Sequence, residues 1–169
     1  MNYSKILSFP KKMRLTSEGE QRRGGASTLR ENILLVANTN VLFSFFGKST
    51  TTRELIFLLS GRIISPEFAI DELKEHRKEV IKKAKINERE FDEIINVLRE
   101  HIIFVSEEFY AEFIPLALRI TPDKDDADFV ALSLKTNAPL RSNDKRLKEI
   151  KEITVLNTKD LLKLLRISG

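Results

Sequence analysis

Cysteine and tryptophan are absent from this chain, and histidine occurs only twice. Without cysteine there is no disulfide framework, no thiolate zinc site, no iron–sulfur cluster and no cysteine nucleophile. Two histidines are too few for zinc held by three imidazoles. No apolar run approaches the ~18 residues that cross a bilayer. The first thirty residues also lack the hydrophobic middle of a secretion signal. The expectation is therefore a cytoplasmic protein with no membrane partner. The length, 169 residues, fits one domain.

Charge is unevenly placed. The chain carries a net +4, yet residues 1–30 hold seven Lys and Arg against Glu18 and Glu20, a net +5, so the remainder sums to −1. The same segment has three of the six glycines and no apolar periodicity. Residues 1–31 thus read as a basic, flexible leader. The alternative is an arm that grips nucleic-acid phosphates.

From residue 32 the pattern becomes regular. Ile33–Ala37 is a continuous apolar run that suits a strand buried on both faces. Thr50–Ser60 reads as a helix stopped by Gly61, and Arg62–Ile64 as a brief strand. Ser65 and Pro66 read as cap and first turn of a helix reaching about Lys85. Asn87 with Glu90 forms a capping-box pattern for a helix through Glu100. His101–Val105 is a strand, Ser106 caps a helix to Ile120, and Asp125 or Asp126 begins another. Pro139–Ser142 and Ile153–Leu156 are strands, with a helical turn over Lys145–Ile150 between them and a last helix capped by Thr158. Strands alternating with helices predict a three-layer α/β/α domain over 32–169 with a mostly parallel sheet. The apolar surplus in Val41–Phe46 and in residues 109–120 reads as core packing; a dimer or partner surface is the alternative.

An open parallel sheet binds its ligand at the carboxyl ends of its strands. The loops there carry Asn38-Thr39-Asn40, Asn143-Asp144 and the cluster Asp123, Asp125, Asp126, Asp128. No glycine-rich phosphate loop is present, which disfavours a dinucleotide or P-loop site. Acid and amide oxygens suit Mg²⁺ or Mn²⁺. Gathered carboxylates repel one another, and a divalent cation is the usual reason they are tolerated. Each acid also has a plain structural reading. Asp125 and Asp144 read as caps, Asp128 as a solvated residue, and Glu72 as part of a helical charge run.

The four stretches together resemble PIN-domain ribonucleases, the family that includes VapC-type toxins of toxin–antitoxin modules. The strand followed by Asn38-Thr39-Asn40-Val41-Leu42 is similar to the family's opening Asp-Thr-Asn-Val-Leu. SPEFAIDELKEH places the family's helical acid at Glu72, DKDDADFVALSL places the next at Asp126, and RSNDKRL places the last at Asp144. The resemblance, over about residues 33–165, implies an endoribonuclease dependent on Mg²⁺ or Mn²⁺, homodimeric and held by a small antitoxin. It implies that Asp126, Asp144 and Asn38 hold the metal and that Glu72 positions the ion or the attacking water. Thr39, Asn40 and Ser142 then orient these groups. Asp123 is a fifth acid or a turn former after Pro122.

One position departs from the family: Asn38 stands where it has Asp. An amide offers one oxygen but no charge, and cannot act as a base. This chain is therefore expected to be weakened or inactive. Asn38 is either the residue of a feeble member or a change that disarms a toxic enzyme. Two further readings stay open: a catalytically dead PIN-fold module that binds RNA or protein, and a different α/β phosphohydrolase using Asp144 as nucleophile.

Overall fold

Short apolar strands spaced by helices can bury their backbone only if helices cover both faces of the sheet. The computed structural model describes residues 33–47 and 50–166. The leader expected over 1–31 lies outside the described residues. Five strands, β1 (Leu35–Ala37), β2 (Ile63–Pro66), β3 (Ile102–Val105), β4 (Leu140–Arg141) and β5 (Val155–Leu156), form an all-parallel sheet in the order β3-β2-β1-β4-β5. The helices are α1 (Thr39–Ser44), α2 (Thr50–Leu58), α3 (Glu67–Glu75), α4 (Arg77–Ala84), α5 (Glu88–His101), α6 (Ile114–Ile120), α7 (Ala127–Thr136) and α8 (Thr158–Leu164). This is the three-layer α/β/α arrangement expected from the sequence.

Val36 at the sheet centre pairs with Ile64 on one side and Leu140 on the other, and all three are fully buried. The apolar helix α7 lies against β1, β2 and β4 with Phe129, Val130, Ala131 and Leu132 buried. On the other connections, Phe46 stacks on Phe91 of α5 with ring centroids 5.3 Å apart.

The strand order explains where a site can form. After β1 the chain steps outward through β2 to β3. It then returns past β1 to β4 and continues to β5 on the opposite side. Right-handed crossovers put these two sets of helices on opposite faces. The chain leaves β1 in one direction and β4 in the other, so a crevice opens between their carboxyl ends.

Several boundaries differ from the sequence reading. Asn38-Thr39-Asn40 is not a plain loop: Asn38 caps α1, its side chain accepting from the Val41 N–H at 3.1 Å. Ser65 and Pro66 finish β2, and the helix expected there starts one residue later, at Glu67, with Pro66 and not Ser65 as its N-cap. The Ser65 hydroxyl is committed elsewhere, donating to the Ala37 carbonyl at 2.8 Å. The helix expected to reach Lys85 is broken at His76, where ψ turns to 18°. There Arg77 opens α4 under an ion pair to Asp92 of α5, 2.6 Å away, with its guanidinium over the Phe91 ring. Residues 107–113 form two 3-10 turns before α6, and Lys124–Asp126 form another before α7. The last helix is capped by Asn157, with Thr158 its first residue. The capping box of Asn87 and Glu90 is present as expected.

Candidate active site

The crevice between β1 and β4 is a cleft of about 750 Å³. Asn38, Thr39, Asn40, Glu72, Asp126 and Asp144 line it, together with Asp123. These residues lie on four separate stretches of chain, and the fold brings all of them to one opening. Ser142 lies behind the cleft, almost fully buried.

Asn38 sits where β1 ends and α1 begins, 2% exposed. Both ends of its amide are occupied: Oδ1 accepts the Val41 N–H, and Nδ2 donates to the Ser142 hydroxyl at 3.2 Å. The Ser142 oxygen also accepts the backbone N–H of Asp144 at 3.1 Å. Ser142 thereby ties the end of β1 to the loop after β4. On the helix side, the Thr39 hydroxyl donates to Glu72 Oε2 at 2.9 Å and holds that carboxylate at the cleft wall.

The electrostatics are one-sided. Nine carboxylate side chains line the cleft, against the cations Lys124 and Arg146. Burial pushes the Asp126 carboxyl above the usual carboxylate range; the fields of Asp123 and Asp144 push it further, and Arg146 opposes them. Asp144 shifts the other way. The Arg146 guanidinium holds it below the usual range, with Nη2 at 2.8 Å from Oδ2 and the Arg146 backbone N–H at 2.8 Å from Oδ1. Arg146 Nη2 also lies 3.9 Å from Asp123.

Among the described residues, no three Asp, Glu or His side chains converge closely enough to hold a metal ion. The acids share a cleft without sharing a coordination sphere: Asp144 is turned onto Arg146, and Glu72 is bonded to Thr39. The donor set nevertheless fits a hard divalent cation. It is all oxygen, and nine carboxylates face only Lys124 and Arg146 across the cleft.

Three features of the cleft escaped the sequence reading. Arg146 is one, two residues after Asp144 in a Lys-Arg pair that gives no sign of which side chain folds back. Phe68 is another: it lines the acidic cleft while 37% exposed, its ring 5.3 Å from that of Phe129. Asp128, read as solvated, instead accepts a hydrogen bond from the buried Tyr110 hydroxyl at 3.0 Å. Burial, and then the Asp128 carboxylate, push the Tyr110 hydroxyl well above its ordinary range. Asp123, not Asp125, caps the turn before α7, accepting from the Asp125 N–H at 3.1 Å.

Residues 36–160 match the family model of the PIN domain. No curated protein matches the chain. Among solved structures, the chain is similar to one from the crystal structure of VapBC2 from Rickettsia felis bound to a DNA fragment from their promoter. The TM-score is 0.56 at 16% identity, covering 74% of this chain and 98% of that one.

Proposed function

Because the chain belongs to the PIN domain family, matched over residues 36–160, we propose that it is an endoribonuclease dependent on Mg²⁺ or Mn²⁺. In this reading Asn38 weakens or silences it, and it is the toxin of a toxin–antitoxin pair. The observation that carries the reading is the arrival of Asn38, Glu72, Asp126 and Asp144 at one cleft from four stretches of chain. The VapBC2 structure of similar fold contains a toxin–antitoxin complex on DNA. That favours a small antitoxin as the protein partner of this chain, and the family resemblance favours a homodimer.

Asp126 and Asp144 would hold the cation, with Glu72 at the flank and Asn38 lending one amide oxygen. Such an ion, when bound, lowers the pKa of water and offsets the charge on the phosphoryl oxygens. The chain's own residues do the placing. Thr39 fixes the Glu72 carboxylate, which orients the attacking water. Ser142 fixes Asn38 and the backbone of Asp144, and Asn40 stands at the cleft mouth.

The test is cleavage of a mixed RNA ladder with Mn²⁺, by this chain and by Asn38→Asp. The aspartate variant should cleave faster by about 100-fold or more, since loss of even an outer-shell partner costs 10–100-fold. If neither form cleaves while both bind Mn²⁺ normally, the role given to position 38 is wrong. A second reading, a PIN fold that only binds RNA or protein, is favoured by one observation. Each end of the Asn38 amide already makes one structural hydrogen bond, at Val41 and Ser142. RNA binding without cleavage by Asn38→Asp would establish it.

A further inference from the structure

Across the break at His76, α3 and α4 keep one face in register: Glu72, His76, Glu79 and Lys83 recur at spacings of four, three and four. Facing them is α1, and between lies a second recess of about 310 Å³. Phe43, Leu73 and Val80 supply its apolar walls, and His76 and Lys83 stand at its rim, both exposed. This recess opens directly off the acidic cleft, because Thr39, Asn40 and Glu72 line both.

A polyanion meets a difficulty in the main cleft. Nine carboxylates face it there, so even a bound divalent cation leaves strong repulsion for any phosphate beyond the one being cleaved. Single-stranded RNA is held elsewhere by pairing cations with its phosphates and aromatic rings with its bases. The recess carries two carboxylates, Glu72 and Glu79, where the main cleft carries nine, and it offers one of each, Lys83 and the half-exposed Phe43. Its volume lies at the small end of ligand pockets, the size of a single nucleotide rather than a duplex.

We propose that the recess between α1 and the α3–α4 face is a substrate subsite. It takes the nucleotide next to the scissile position, with its base against Phe43 and its phosphate neutralised by Lys83. The assignment rests on the ribonuclease reading and names how that activity would select an unpaired strand.

The test uses the full chain and a short, dye-labelled, single-stranded oligoribonucleotide of mixed sequence. Ca²⁺ replaces the active metal, and binding is read by anisotropy across a salt series. Lys83→Ala should weaken binding several-fold and flatten the log–log salt slope by about 0.7, the mark of one lost phosphate contact on a single strand. Phe43→Leu, which keeps an apolar group in place, should weaken binding by about tenfold with no change in slope. Lys163→Ala, on α8 beyond the other sheet edge, should change neither. Melting curves confirm that each variant is folded. If Lys83→Ala and Phe43→Leu bind as the parent does, the subsite is wrong and the ribonuclease reading stands. If Lys163→Ala costs as much as Lys83→Ala, the attraction is diffuse surface charge and the subsite is again wrong. If the parent binds no RNA at all, both fall together.

Discussion

Arg146 and Asp126 hold opposite positions in the same electrostatic field. Arg146 fastens on Asp144 through side chain and backbone, and so occupies the carboxylate assigned to the cation. Replacing it with Gln removes that competitor, and Mn²⁺ should then bind a few-fold more tightly by calorimetry. Weaker binding would mean that Arg146 positions Asp144 instead of masking it. Asp126 is the acid that pays for the crowding. Its folded carboxyl titrates above its unfolded value, so the native state binds the proton more tightly. Stability therefore falls as pH rises through that interval and stays lower at neutral pH. Asp144 contributes in the reverse sense: its gain is present above the unfolded value and is lost as pH drops through its depressed one. Without divalent ions, Asp126→Asn should melt about 2 °C higher at neutral pH, a modest effect because the residue is partly solvated. The advantage should vanish in mildly acidic buffer. A lower melting point at neutral pH would contradict this account.

At the scale of elements, the ends of β1 and β2 are joined by one side chain. Ser65 is fully buried and donates to the Ala37 carbonyl immediately before Asn38. Ser65→Ala should cost about 1 kcal/mol in urea unfolding. It should also reduce cleavage by Asn38→Asp disproportionately, because the carbonyl it holds sets the start of α1. Equal loss of stability with unchanged cleavage would limit Ser65 to a structural role. This bond also shows what the sequence could not disclose. Ser-Pro-Glu has the form of a helix start, and the actual strand ending depends on a carbonyl 28 residues away. The break at His76 is equally silent, since Arg77 is drawn to Asp92 and Phe91 by tertiary packing. Asn38 was legible as a departure from Asp but not as a helix cap, because Asn-Thr-Asn after a strand reads as a turn. The parallel layers and the carboxyl-edge acids were legible, since unbroken apolar runs and acids placed just after them need only local pattern. The turn of Asp144 onto Arg146 was not.

For the whole molecule, the first buried core residue among the described residues is Leu34, at the entrance to β1. If residues 1–31 are a separate leader, deleting them should leave the unfolding free energy of the rest within about 0.5 kcal/mol, as for changes away from any packed feature. A larger drop would make that segment part of the fold. Expression of Asn38→Asp should slow growth of the host in a way that Asn38→Asp combined with Asp126→Asn does not. Equal toxicity of both would separate growth arrest from the cleft.

The hydrogen bond from Asn38 to Ser142 spans 104 positions of chain and lies in the floor of the cleft. The chain from residue 38 to residue 142 must fold together to assemble that floor. A single proteolytic nick that lets β4 drift from β1 would abolish the site at once, leaving no active fragment, so a cell could disarm this protein by beginning to digest it.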